Sequence, residues 1–600
     1  MKELEFPFDS EYILKKRKSI KRSLLGELEG KTCISKKIAI LGGSTTHDVK
    51  EMLELFLLNV GIVPTFYESE YNQFWQDVMF DNPLLVEFAP DLIYIHTGSR
   101  NLKNIPDVRM SPEQIAAMLE EEYQYYESMW QKIEETYHCP IIQNNFEMPF
   151  YRLLGNQDCA DVHGRMNYIT RLNQRFYEFA QSHENFHIHD INYLSACYGL
   201  QKWADPFYWH MYKYACAVPA IPELSYNMAN IIKSIYGKNK KALVLDLDNT
   251  LWGGVVGDDG ADKIEIGQET PMGQLYSEFQ QYLKAHKDLG ILLTVNSKND
   301  EENALAGLNR PDSVLKPEDF LVIKANWENK DRNIVEIASE LNIGTDSLVF
   351  VDDNPAERNI VKMQVPEVAV PEMGEAVEYI IGLDRSGFFE VTNLSKDDLT
   401  RNEMYRANVE RKKQQASFES YEDYLLSLEM KAEIAAFAPV YMSRIAQLTN
   451  KSNQFNLTTK RMSTADLEEL VKEPANITLY GKLEDKFGDN GVVSVVYGHI
   501  DEADKELFHI DLWLMSCRVL KRDMEKAMLD ELITRCKQAG IRRVLGYYYP
   551  TAKNAMVKEF YAAQGFDKIS EDDAGNTVWE YIIPEQYVKQ NRVISIEEII

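Results

Sequence analysis

The sequence predicts a multidomain α/β protein: two Rossmann-like layered domains with parallel sheets, followed by a mixed α+β domain. Three observations lead there. At 600 residues the chain is too long for one core, because a domain takes roughly 100–200 residues. Short apolar runs alternate with stretches of helical periodicity as far as about Asp384, the pattern of parallel strands joined by helices. Beyond that point the alternation gives way to a charged helical connector and then to neighbouring strand-like runs.

Taken in order, residues 37–41 read as a buried strand ended by Gly42-Gly43, and 51–60 carry apolar residues at helical spacing. Residues 91–95 and 140–142 read as further strands on either side of a helix over 112–137. This assigns 1–236 to a first domain, closed by the charged link 237–241. A second domain, 237–385, has apolar runs at 242–246, 291–295, 320–323 and 347–351, with amphipathic helices at 273–289 and 331–341. The third, 386–600, opens with the connector 397–415 and helices through 471. It continues with antiparallel strands at 491–498 and 507–514 and a helix over 524–539. No internal repeat or low-complexity segment is present.

Composition narrows the function. Apolar residues at 45% and charged residues at 26% are close to the globular average, which excludes bulk disorder. The net charge of −29 opposes binding to nucleic acid or anionic lipid, so neither is expected as a partner. The one dense basic run, Lys15 to Lys18 with Lys21 and Arg22, reads as a solvated helix face next to Ile13, Leu14, Ile20, Leu24 and Leu25. No apolar run approaches the roughly 20 residues of a membrane span and no signal-peptide pattern follows Met1, so a cytoplasmic location is expected. The seven cysteines are scattered without a Cys-x-x-Cys pair, so any functional cysteine should act as a thiol.

The strongest chemical signal is Asp246-Leu247-Asp248-Asn249-Thr250, directly after an apolar run. Two carboxylates at i and i+2 leaving a buried strand can serve as nucleophile and proton donor where a cation neutralises the site, and Mg2+ suits such oxygen ligands. Further pieces follow at later strand ends: Ser297-Lys298-Asn299, then Lys330 before a helix, then Asp352-Asp353. A hydroxyl and an ammonium can clamp a phosphoryl group, and further carboxylates can complete a metal site. Ser297 lies 51 positions after Asp246 and Lys330 lies 33 after Ser297, intervals too short for a large inserted cap domain. An open cleft of that kind suits a bulky or protein-carried substrate.

This order of motifs resembles the haloacid dehalogenase superfamily of phosphoryl-transfer enzymes. The resemblance implies that Asp246 forms an aspartyl-phosphate and that Asp248 protonates the leaving group. It also implies that Ser297 and Lys330 hold the phosphoryl group with Thr250 and Asn299 beside it. Mg2+ would be bound by Asp246, Asp248 and Asp352, with Asp353 in support. Residues 252–260, 326–330, 451–461 and 516–519 carry a more specific resemblance, to the FkbH-like family, over roughly 240–566. That family implies transfer of a glyceryl unit from 1,3-bisphosphoglycerate to the phosphopantetheine thiol of an acyl carrier protein, in polyketide or related biosynthesis.

Such chemistry needs a thiol to attack an acyl phosphate. Cys517 follows an apolar strand and precedes Arg518, Lys521 and Arg522, whose charge would favour a thiolate; the alternative is an inert cysteine at a strand end. The tail from about Gln415 resembles a GNAT-type acyltransferase, although the glycines of the usual acyl-CoA loop are missing from 518–523. Lys521 and Arg522 could instead meet an acidic carrier protein or a pantetheine phosphate. Residues 1–236 resemble an SGNH hydrolase-like domain, with Ser44 at the nucleophile position, Asp205 and His210 as the available base pair, and Asn101 and Asn144 as oxyanion candidates. The departures from that family's spacing favour a structural or substrate-holding role. The alternative reading of the whole chain is a phosphatase of the same superfamily acting on a phosphorylated metabolite or sugar; a catalytically idle docking scaffold is the rival of a different class.

Overall fold

The computed structural model describes residues 1–597 except Thr32, Ala416, Asn453 and Ala552, so Asn453 of the 451–461 motif lies outside the described residues. The chain forms two compact units, Met1–Ile235 with Glu390–Asn393, and Tyr236–Phe389 with Leu394–Ile600.

The first unit is built on five parallel strands, β1 (Ile34–Gly42), β2 (Ile62–Glu68), β3 (Leu92–His96), β4 (Ile141–Asn144) and β5 (Phe186–His189), in the order β2-β1-β3-β4-β5. Ile38 to Leu41 and the whole of β3 are buried, as strands covered on both faces by helices must be. The winding reverses between β1 and β3, so the loops after these two strands border the crevice where open α/β sheets bind ligands. Helix Pro112–Tyr137 starts at a capping box formed by Ser111 and Gln114 and buries Trp130, whose indole donates to Gln143 at 3.0 Å. The basic run lies on helix Ser10–Leu28, where Arg17 pairs with Glu51 at 2.7 Å and Lys21 with Glu54 at 2.6 Å.

The second unit contains two sheets. Strands β6 (Ala242–Leu245), β7 (Leu292–Ser297), β8 (Val322–Ala325) and β9 (Leu348–Val351) are parallel in the order β8-β7-β6-β9. Between β6 and β7 lie only helices Val256–Asp259 and Pro271–Asp288, so no inserted domain covers the ends of the strands. The second sheet contains β10 (Met430–Ala435), β11 (Asn476–Asp485), β12 (Gly488–Ile500), β13 (Leu507–Met515), β14 (Arg543–Tyr548), β15 (Asp567–Glu571), β16 (Thr577–Ile582) and β17 (Ile594–Glu597). Its order is β15-β16-β14-β13-β12-β11-β10-β17, antiparallel except for the β13/β14 and β10/β17 pairs. This is the mixed α+β arrangement the sequence predicts. One expectation fails: the helices read through 471 are interrupted by β10, whose alternating burial is matched by partners β11 and β17 far along the chain. No helix among the described residues is long and apolar enough to cross a membrane.

Candidate active site

Strands β6 and β9 pair in parallel with Leu245 opposite Val351, so both end at the same level. The next residues, Asp246 on one strand and Asp352-Asp353 on the other, therefore emerge side by side, and the Asp246 amide donates to the Val351 carbonyl at 3.0 Å. One carboxylate oxygen from each of Asp246, Asp352 and Asp353 lies within 4.8 Å of the others. Lys330, the first residue of helix Lys330–Leu341, places its buried ammonium 3.0 Å from Asp246 Oδ1 and 2.6 Å from Asp352 Oδ2. That helix start is fixed by Asn296, whose amide donates to the Lys330 carbonyl at 3.0 Å, and Asn333 donates to Asn296 in turn.

Three carboxylates face one ammonium. Burial, reinforced by the charge of Asp246, pushes Asp352 up to about 6 and raises Asp353 as well. Burial works against the charged form of Lys330, but Asp246 and Asp352 outweigh it and hold the lysine above its usual range. A buried pocket with surplus negative charge and hard oxygen donors fits a small divalent cation such as Mg2+. Arg358, which no motif signals in the sequence, donates to the carbonyls of both Asp352 and Asp353 at 2.7 Å and fixes the turn that carries them.

Asp248 sits next to this group but does not belong to it, which corrects its expected place among the metal ligands. Its Oδ1 accepts from the Trp252 indole at 2.9 Å and the Val256 amide at 3.0 Å, and its Oδ2 accepts from Asn299 at 3.0 Å. Asn249, with φ of 56°, turns the chain between the two aspartates' strand end and the buried Trp252. Burial raises Asp248 despite these donors, and Asp246 adds to the rise, which suits a group that must hold a proton for a leaving oxygen. Thr250 and Asn299, expected at the phosphate, are used otherwise: Thr250 Oγ1 accepts from the Asp353 amide at 3.2 Å, and Asn299 orients Asp248. Ser297 ends β7 two positions beyond the partner of Leu245, beside the end of β6.

Cys517 lies elsewhere. It lines a cavity of about 340 Å³ together with Lys241 and Ser347, which precede β6 and β9, whereas Asp246 and Asp352 follow those strands. Lys241 and Asp246 are five residues or about 16 Å apart along an extended strand, so the thiol's cavity and the aspartates sit at opposite ends of β6. The cations expected to serve Cys517 are only partly there. Arg518 lines the cavity and pairs with Asp397 at 3.4 Å, but Arg522 is buried against Asp485 at 2.9 Å, and Lys521 stands exposed on a left-handed turn with φ of 64°. Arg401, Arg444 and Lys451 take their place around the thiol, and Tyr405 Oη lies 4.0 Å from its sulfur. All seven cysteines are free thiols.

In the first unit, Ser44 follows β1 at the reversal of strand order, but its buried Oγ has no hydrogen-bond partner among the described residues. The expected base pair is therefore not assembled: neither Asp205 nor His210 reaches Ser44, and Asp205 caps its own helix Pro206–Tyr212 by accepting from the Tyr208 amide at 3.1 Å. The carbonyls of Tyr212 and Lys213 instead bind Thr45. Asn101 donates to the Gly43 carbonyl at 2.6 Å. Asn144 is occupied in a buried network, lying 3.1 Å from His96 Nδ1 and 2.9 Å from His189 Nδ1, with Tyr94 Oη 2.7 Å from His96. Burial lowers His96 to about 4 and His189 to about 3, so both rings are neutral.

Comparison with known proteins agrees with this arrangement. The family described as FkbH, N-terminal domain, matches residues 37–233. A crystal structure of the N-terminal part of the protein BF1531 from Bacteroides fragilis, containing a phosphatase domain complexed with Mg, is 31% identical, with a TM-score of 0.57. The match covers 63% of this chain and 99% of that one. Acetyltransferases of the GNAT family from Streptococcus pneumoniae (15% identity, TM-score 0.22, 26% of this chain and 100% of that one) and Ard1 from Thermoplasma volcanium (18%, 0.20, 26% and 99%) also align. No curated protein matches the chain. With a 31% identical relative that contains a phosphatase domain aligned over 99% of its length, and the FkbH N-terminal domain matched over residues 37–233, the chain belongs to the FkbH-like family and is an enzyme of the haloacid dehalogenase-like phosphatase type.

Proposed function

We propose that this chain is a cytoplasmic, Mg2+-dependent enzyme that removes a phosphate ester at the Asp246 centre and loads a glyceryl unit from 1,3-bisphosphoglycerate onto the pantetheine thiol of an acyl carrier protein. The observation that carries the reading is the group Asp246, Asp352 and Asp353 with Lys330 against it and a separately anchored Asp248 at its side. The Mg complex of the Bacteroides fragilis relative supports the choice of metal. Mg2+ held by Asp246, Asp352 and Asp353 would supply charge neutralisation to the transferring phosphoryl group.

The chain's own residues divide the work. Asp246 attacks phosphorus, an O–P bond forms, and the ester oxygen departs with its electron pair as Asp248 gives it a proton. Water then attacks the aspartyl-phosphate while Asp248 accepts its proton, releasing phosphate and restoring Asp246. Lys330, with Ser297 beside it, holds the equatorial oxygens. The acyl step is a separate displacement: the Cys517 thiolate attacks the C1 carbonyl, a C–S bond forms and phosphate leaves with the C–O pair; the pantetheine thiol, losing its proton, then attacks that thioester, and Cys517 leaves as the thiolate. Because the Cys517 cavity and Asp246 lie at opposite ends of β6, the two steps need separate centres, and the long pantetheine arm of a carrier is the chemical means of visiting both.

That same separation favours one rival, a plain phosphatase acting on a phosphorylated metabolite or sugar, in which Cys517 has no role. Two variants decide. Asp246→Asn, nearly isosteric, is expected to keep the fold and abolish hydrolysis of the phosphate ester, a barrier increase on the order of several kcal/mol, while phosphate displaced from the acyl carbon is unaffected; ester hydrolysis above a few per cent of wild type would remove Asp246 from its role. Cys517→Ala is expected to load no carrier protein, whereas a plain phosphatase would lose nothing. Ser44→Ala should leave loading intact, since its hydroxyl lacks a base.

A further inference from the structure

The cavity around Cys517 carries an unusual charge. Arg401 begins helix Arg401–Gln415, Arg444 and Lys451 lie two turns apart on helix Met442–Lys451, and Arg518 lies in the turn Cys517–Val519. All four line the cavity. Their counter-charges are the adjacent Asp397 and Asp398. Arg444 and Arg518 share Asp397, at 2.9 and 3.4 Å, while Arg401 and Lys451 share Asp398, the latter at 3.5 Å. Four cations thus meet two carboxylates, and the other charged lining residues, Lys238, Lys241 and Lys553 against the one carboxylate Asp346, leave the excess in place, in a chain whose net charge is −29.

The cations crowd one another. Burial, with Arg401 and Arg444 alongside, lowers Lys451 to about 8, and burial with Arg518 alongside lowers Arg444 to about 10. Partly buried like charges held this close are costly unless an anion joins them. An excess of two or more positive charges matches a phosphate monoester, which carries about −1.5 to −2 at neutral pH. Arginine forks suit its oxygens, and 340 Å³ accommodates a small molecule.

We propose that the Cys517 cavity is a second anion site, in which Arg401, Arg444, Lys451 and Arg518 bind a phosphate monoester and hold the rest of that ligand against the thiol. The site stands apart from the Asp246 centre and goes beyond the function proposed for it, so it is tested where that centre is silent. The full chain carrying Asp246→Asn, with a chelator, is alkylated with iodoacetamide, and each cysteine is followed by peptide mass spectrometry. Exposed Cys159 and Cys197 serve as internal references. The probes are 3-phosphoglycerate and 4′-phosphopantetheine, with glycerate and pantetheine as their phosphate-free counterparts.

A monoester at ten times its Kd is expected to slow alkylation of Cys517 about tenfold without slowing Cys159 or Cys197. The monoester that protects at the lower concentration identifies whether the ligand is a small phosphorylated acid or free phosphopantetheine; an arm attached to a carrier, whose phosphate is a singly charged diester, lies outside the proposal. Adding Lys451→Met should raise the protecting concentration at least about tenfold, a loss of roughly one charge-assisted contact, and Lys451→Arg should restore it. If Lys451→Met does not fold, Arg401→Gln serves in its place. Failure of both monoesters to protect, equal protection by glycerate or pantetheine, or full protection in the substituted proteins would each overturn the proposal.

Discussion

Among the described residues Lys330 is the only ammonium paired with Asp246 and Asp352, so replacing it isolates the charge balance of the centre. Lys330→Met should leave the carboxylates mutually repelling in a buried site and lower stability by about 3–5 kcal/mol. Added Mg2+ should then raise the melting temperature of the variant more than that of wild type, because the metal replaces the lost cation; equal shifts would show that the carboxylates do not bind it. In the first unit, His96 and His189 are neutral in the fold, at about 4 and about 3, but titrate near 6.5 when unfolded. Below pH 6.5 the unfolded chain gains protons that the folded chain does not, so stability falls with acid, by about 3 kcal/mol for His96 alone on reaching pH 4. Calorimetry from pH 7 to 4 should show this loss for the first unit and a shallower one for His96→Gln. At this scale the sequence was informative wherever a residue's role follows from its place after an apolar strand, as for Asp246, Asp352 and Lys330. It was silent about Trp252 as the donor to Asp248, about Arg358 behind Asp352 and Asp353, and about the turning away of Arg522, because each depends on a partner brought close only by folding.

At the scale of elements, the strand ends are what make the centre. The register of β6 on β9 sets three carboxylates together, and helix Glu301–Leu308 secures the neighbouring aspartate indirectly. Gly307 in that helix lies under the Trp252 ring, where a Cβ would come within 2.8 Å of the indole. Gly307→Ala would gain up to about 1 kcal/mol of helix propensity, but overpacking of a fully buried Trp costs about 1–3 kcal/mol. The predicted result is a lower melting temperature together with slower phosphate release, since the displaced indole no longer holds Asp248; an unchanged rate would detach Trp252 from that role. The parallel strands of both α/β sheets that lie deepest were legible because they are continuous apolar runs. Strands β10, β11 and β14 to β17 were not, because they alternate or are half exposed and their pairing, as of β10 with β17, joins residues more than a hundred positions apart.

At the scale of the whole molecule, the second unit holds two centres of opposite charge: a carboxylate group after β6 and β9, and a cationic, thiol-bearing cavity before them. A phosphatase needs the first alone, and a transferase that handles a phosphorylated acyl group has use for both. The most direct test is intact-protein mass spectrometry of carrier protein incubated with this enzyme, Mg2+ and a source of 1,3-bisphosphoglycerate. The account predicts that wild type leaves a hydroxylamine-sensitive glyceryl unit on the pantetheine thiol, and that Asp246→Asn leaves a phosphoglyceryl unit or none. Unphosphorylated glyceryl on the carrier at the wild-type rate with Asp246→Asn, or phosphate release by wild type with no acyl group on any carrier, would contradict it.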